Sequence, residues 1–146
     1  MNRPVSGGCA CGRIRFEARP EGHDAYLCHC RMCQKACGNV SLAMVGLPQA
    51  AVSWATEPDW YVSSPIARRP FCASCGTSLG FAYNDSERMD LTVASFDDPA
   101  PFVPTHHFGA ESVHGAWLDT SSLPRTRSDD YQPLVDRWAR ARGAPE

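Results

Sequence analysis

The eight cysteines of this chain fall in three tight groups, and that spacing limits the possible folds more than any other feature of the sequence. Cys9 and Cys11 stand two apart between glycines, in Gly7-Gly8-Cys9-Ala10-Cys11-Gly12. Cys28, Cys30 and Cys33 lie within six consecutive positions, and Cys37 follows closely. Cys72 and Cys75 form a C-x-x-C-G pattern with Gly76, as in a zinc knuckle. Deprotonated thiols are soft ligands for zinc or iron. In a reducing compartment, tight clusters read as metal ligands before disulfides.

A knuckle supplies two ligands and needs two more, which the pair at Cys9 and Cys11 provides. Cys9, Cys11, Cys72 and Cys75 together make a closed structural zinc site that ties the N-terminal region to the middle of the chain. Such a clamp favours folding by restricting the unfolded chain. The second group has three metal-bound readings beside that of no metal at all. One is an open zinc on Cys28, Cys30 and Cys33, with the fourth position free, as in catalytic sites. Another is a closed structural zinc, with Cys37 or His29 as fourth ligand. The third is an iron–sulfur cluster, although no familiar ferredoxin spacing is present. His106, His107 and His114 read as packing or hydrogen-bonding residues. Arg31, Lys35, Arg68 and Arg69 are cations near the cysteines in sequence, open to an anionic substrate.

At 146 residues and 43% hydrophobic content, one domain spanning 1–146 is expected, with a peripheral C-terminal tail from about residue 127. The formal charge of −2 gives no electrostatic case for nucleic acid, and Lys35 is the one lysine among the 14 basic residues. The N-terminus lacks the apolar region of a secretion signal, and no stretch nears the roughly 18 apolar residues of a membrane helix. A cytoplasmic protein without membrane or nucleic-acid partners is therefore expected.

The local patterns predict short strands, many turns and little helix. Residues 13–18 alternate polar and apolar as a half-buried strand does. Residues 40–45, 51–54, 60–62, 78–83 and 89–95 are further strand candidates, the first stopped by Gly46 and Pro48. Residues 20–24 and 84–86 read as turns, 65–70 as a loop between prolines, and 99–107 as an irregular Pro- and His-rich segment. Gln34 to Gly38 suggests a helical turn. Residues 131–142 suggest one short helix with Leu134, Val135 and Trp138 on one side.

The ordered groups Gly7-Gly8-Cys9-x-Cys11-Gly12, Cys28-His29-Cys30-Arg31-Met32-Cys33-Gln34-Lys35 with Gly38, and Phe71-Cys72-x-x-Cys75-Gly76-Thr77 resemble the glutathione-dependent formaldehyde-activating enzyme family. That family shares a domain with the centromere protein V group. The likeness runs on through Pro104 to Phe108, Trp117, Leu123 and Pro124. The resemblance implies a mainly β, Mss4-like fold of small twisted antiparallel sheets around zinc sites. It implies two zinc ions per chain, one on Cys9, Cys11, Cys72 and Cys75 and a second on Cys28, Cys30 and Cys33. It also implies a carbon–sulfur lyase activity: the reversible addition of glutathione, or another thiol, to formaldehyde or a related small aldehyde. Its partners would be a small-molecule thiol and an aldehyde, with Arg31 or Lys35 meeting a glutathione carboxylate. Cys37 departs from the pattern, since similar proteins usually carry a residue such as Ser, Thr or Phe there. Two other classes share these residues: a non-catalytic glutathione or thiol carrier, and an interaction module stabilised by two structural zincs.

Overall fold

A computed structural model describes residues 3–143. The extreme ends of the N-terminal segment and of the expected tail, residues 1–2 and 144–146, lie outside it. In chain order the elements are β1 (Val5–Gly8), β2 (Arg15–Ala18), β3 (Asp24–Cys28), α1 (Arg31–Cys37), β4 (Leu42–Pro48), β5 (Val52–Trp54), β6 (Asp59–Ser64), β7 (Ala67–Phe71), β8 (Gly80–Tyr83), β9 (Arg88–Thr92), β10 (Val103–Phe108) and α2 (Gln132–Gly143). The fold is mainly β with little helix, as the family resemblance implied. Contacts divide the chain into two units, one ending at His114 and one starting at Gly115.

In the first unit, β1, β2 and β5 form a small antiparallel sheet. The alternation at residues 13–18 becomes β2, which buries Phe16 and Ala18 and turns Glu17 outward. The other strands form a seven-stranded sheet in the order β10-β3-β4-β9-β8-β7-β6. Every described pairing is antiparallel except β10 on β3, which is parallel. The main core gathers Ile14, Phe16, Leu47, Leu79, Leu91 and Phe96, among others. Phe96 stacks on Phe102 at 4.5 Å and meets Phe16 edge-on at 5.7 Å. Each such buried side chain contributes about 1.5–3 kcal/mol relative to exposure. A smaller cluster packs Leu42 and Met44 with Cys28 and Cys33 of the second cysteine group.

Several segments differ from expectation. The span 65–70 is not a loop, because its residues from Ala67 onward belong to β7. Pro70 fits there because its carbonyl accepts from Leu79 N–H at 2.9 Å, a bond that needs no proline donor. Arg68 lies 4.0 Å over the Trp60 ring of the paired strand, so a cation is at home on that face. The Pro- and His-rich segment becomes β10 by pairing with β3, a strand the sequence pattern had not marked. β4 runs through Gly46 to Pro48, and α1 begins at Arg31, well before Gln34. Its end is as read: Gly38, at φ 68°, closes it in the left-handed region.

In the second unit, α2 matches the helix read at 131–142. It buries none of its residues; Val135 and Trp138 are exposed, and Arg142 lies over the Trp138 ring.

Candidate metal centres

The folding of the two sheets brings Cys9, Cys11, Cys72 and Cys75 into one group, their Sγ atoms all within 4.8 Å of one another. Cys9 Sγ and Cys11 Sγ are 3.6 Å apart, and Cys11 Sγ and Cys72 Sγ 3.8 Å. Four sulfurs tetrahedrally placed at about 2.3 Å from zinc stand about 3.8 Å apart, so the donor set fits that ion. Backbone and side chains hold it from both ends. Ile14 N–H donates to Cys9 Sγ at 3.2 Å, and the Thr77 hydroxyl accepts from Ala10 N–H at 3.0 Å while lying 3.2 Å from Cys75 Sγ. Arg13 pairs with Asp59, whose carboxylate also accepts from Ala73 N–H within the knuckle at 2.7 Å. The Thr77 hydroxyl, its backbone N–H and the Cys11 N–H bring the Cys75 thiol down to about 5. Cys11 is pushed up to about 11: the Arg13 backbone N–H pulls it down, but hydrogen bonding with Cys9 and burial outweigh that.

The second group is built where β3 runs into α1. Cys28 ends the strand, Cys30 caps the helix, and Cys33 lies in its first turn. Cys30 Sγ accepts from Cys33 N–H at 3.3 Å, as an N-cap side chain does. The three Sγ atoms lie within 4.8 Å of one another. The chain after β10 closes over this turn at Gly109. A Cβ there would stand 2.9 Å from Cys30 N, and its φ of 64° is left-handed, so both space and backbone favour glycine. Burial raises Cys28 and pushes Cys33 up to about 12 despite Arg69. At Cys30, burial is outweighed by the Cys33 N–H and by neighbouring thiols and Arg69, which lower it.

Arg69, which the sequence patterns left in a loop, is brought to this group. It projects from β7, is 4% exposed, and donates from Nη2 to Cys33 Sγ at 3.3 Å. Its Nη1 is buried without a hydrogen-bond partner. A buried, half-satisfied guanidinium is costly unless it faces negative charge. Three thiolates around one divalent ion would carry a net −1, a charge this guanidinium would offset. The donor set and the buried cation both fit a three-thiolate metal centre. An arginine between Arg68 and Pro70 carries no sequence signal for such a role.

Cys37 stays outside that group. Its Sγ faces the carbonyls of Gln34, Asn39 and Ser41, each at 3.7 Å. His29 also stays outside: it is 1% exposed and its Nε2 lies 2.8 Å from His107 Nδ1. His106 stacks on Tyr26. Arg31 is engaged with Gln34, whose amide donates to the His29 and Ser112 carbonyls. Lys35 lines a hollow of about 460 Å³ with Met32, Tyr61, Arg69 and Phe71. On the other side of Met32 and Arg69, a cleft of about 450 Å³ opens over Cys28, Cys30 and Cys33. Tyr26 and Asp90 share a hydrogen bond in its wall; burial raises the pKa of Asp90 against the pull of Tyr26 and Arg88.

The family model described as glutathione-dependent formaldehyde-activating enzyme matches residues 4–112, which include both cysteine groups. This chain belongs to that family. It is similar to an uncharacterized lyase of Schizosaccharomyces pombe, with 35% identity over 81 residues. That match spans 56% of this chain and 59% of the yeast protein, less than two thirds of the relative's length. A crystal structure of a Rhodobacter sphaeroides protein shares the fold, with a TM-score of 0.58 and 19% identity, over 70% of this chain and 99% of that one. Among the described residues all eight cysteines are free, and no helix is long and apolar enough to cross a membrane.

Proposed function

We propose that this family member is a zinc-dependent carbon–sulfur lyase of the cytoplasm that adds a thiol reversibly to an aldehyde. The observation that carries this reading is the contrast between the two cysteine groups. Cys9, Cys11, Cys72 and Cys75 make a four-sulfur set suited to a structural ion, whereas Cys28, Cys30 and Cys33 offer three sulfurs at the floor of a cleft. Both the family description and the relative's name, an uncharacterized lyase, support the class.

A zinc ion held by Cys28, Cys30 and Cys33 would supply a position at which a substrate thiol loses its proton readily. Arg69 keeps Cys33 in register through Nη2 and offsets the negative charge of the sulfurs. Phe81 and Met44 wall the cleft with apolar surface. In the addition, the thiol sulfur bonds to the carbonyl carbon and the thiol proton ends on the carbonyl oxygen. Glutathione is the thiol named by the family, and Lys35, which lines the neighbouring hollow, would meet one of its carboxylates.

Cys30→Ser tests this. Expected is loss of one of two zinc equivalents per chain by elemental analysis, together with loss of catalysed adduct exchange in NMR. Undiminished exchange in a variant holding one zinc would sink the mechanism.

A further inference from the structure

The cleft over the three-cysteine group is larger than formaldehyde needs and less suited to the charged body of glutathione than the neighbouring hollow with Lys35. Formaldehyde would leave nearly all of its 450 Å³ unfilled. Glutathione carries two carboxylates and an ammonium group, and each needs a polar partner on leaving water. The walls are instead largely apolar, with Met32, Met44, Ile66, Phe81, Tyr83 and Phe108 around the sulfurs. Among the described lining residues Arg69 is the one cation; its Nη2 is given to Cys33 Sγ, its guanidinium lies over the Phe81 ring, and its buried Nη1 is left for one neutral acceptor such as a carbonyl oxygen. Asp90 would repel an incoming carboxylate, and it is occupied by the Tyr26 hydroxyl. His106 is held by Thr105 and stacked on Tyr26. At the mouth, Met32, Ile66 and Phe108 are more than half exposed, at 52%, 63% and 58%, so apolar surface lines the way in.

We propose that this cleft binds the body of an uncharged aldehyde bearing an aromatic or branched aliphatic group, about eight to ten non-hydrogen atoms in all, with its carbonyl carbon toward Cys28, Cys30 and Cys33. This rests on the carbon–sulfur chemistry inferred above and narrows the aldehyde it serves. The thiol sulfur forms the new bond to the carbonyl carbon, the C=O π pair moves to oxygen, and that oxygen takes the thiol proton. The product is a neutral hydroxy thioether, and nothing is oxidised or reduced. The apolar body stays buried in both directions of the reaction, which favours its binding by about 10–100-fold over an aldehyde without one.

The test uses the zinc-loaded full chain. Binding of 3-phenylpropan-1-ol, which has no carbonyl to react, is measured by calorimetry. Adduct exchange with 2-mercaptoethanol is then compared by NMR for 3-phenylpropanal and formaldehyde. Expected is saturable binding of the alcohol, retained in Ile66→Leu and weakened at least about tenfold in Ile66→Glu. Also expected is a kcat/KM for 3-phenylpropanal at least about tenfold above that for formaldehyde, a ratio that Ile66→Glu collapses. Absence of saturable alcohol binding, or binding indifferent to Ile66→Glu, overturns the proposal. Exchange of formaldehyde without preference for 3-phenylpropanal overturns it too, while the carbon–sulfur reading survives. Exchange of neither aldehyde overturns that reading, and with it an aldehyde as occupant.

Discussion

Arg69 shows how one side chain changes what a cysteine cluster can hold. Its Nη2 donates to Cys33 Sγ while its Nη1 is buried without a partner, so it answers the negative charge of the three sulfurs. Partners that hydrogen-bond a metal ligand typically contribute 10–100-fold in metal affinity. Arg69→Met should therefore weaken zinc at the second site by about that factor and leave the four-cysteine site unaffected, read by competition with a chelating dye. Asp90 makes a pH prediction. Its folded pKa is raised, chiefly by burial, so the folded protein binds this proton more tightly than the unfolded chain does. Its contribution to stability is present below the ordinary Asp value of about 3.9 and is lost as pH rises through the folded value. In urea titrations across that window, wild type should lose stability with rising pH relative to Asp90→Asn. Asp59, Asp97 and Glu21 have lowered pKa values, chiefly from a backbone N–H at Asp59 and from arginines at the other two, and work in the opposite direction in both proteins. The difference between the two proteins isolates Asp90.

At the scale of elements, α1 decides which thiols meet. Its cap places Cys30 Sγ against Cys33 N–H, and its far end turns Cys37 Sγ to the carbonyls of Gln34, Asn39 and Ser41. A serine hydroxyl can donate to one of those carbonyls. Cys37→Ser should accordingly keep two zinc equivalents per chain and cost less than about 1 kcal/mol in urea unfolding. Loss of one zinc would instead make Cys37 a ligand and the second site a closed one. The β6–β7 hairpin is the other deciding element. Its pairing sets Arg68 over Trp60 and delivers Arg69 to the cysteine group.

For the molecule as a whole, the four-cysteine site joins chain segments 61 residues apart, as Cys11 and Cys72 are. Closing a loop of that size stabilises by roughly 4 kcal/mol through the unfolded chain alone. Cys72→Ser, at a fully buried position, should lower the thermal midpoint by about 10 °C or more in the zinc-loaded protein. An unchanged midpoint would mean that the core holds the N-terminal sheet without this clamp.

The cysteine grouping, β2, β5, α2 and the glycine stop of α1 were legible in the chain because each rests on contacts between near neighbours or on ligand chemistry that spacing reveals. The family too was legible from three short motifs. The parallel docking of β10 on β3, the burial of Arg69 and the meeting of Tyr26 with Asp90 were not. Each joins residues tens of positions apart, and no periodicity announces which strand edge a Pro- and His-rich segment will complete. Ligand identity follows from residue type and spacing, whereas the shape and polarity of the cleft follow from how ten short strands pack together, and only the folded chain decides that.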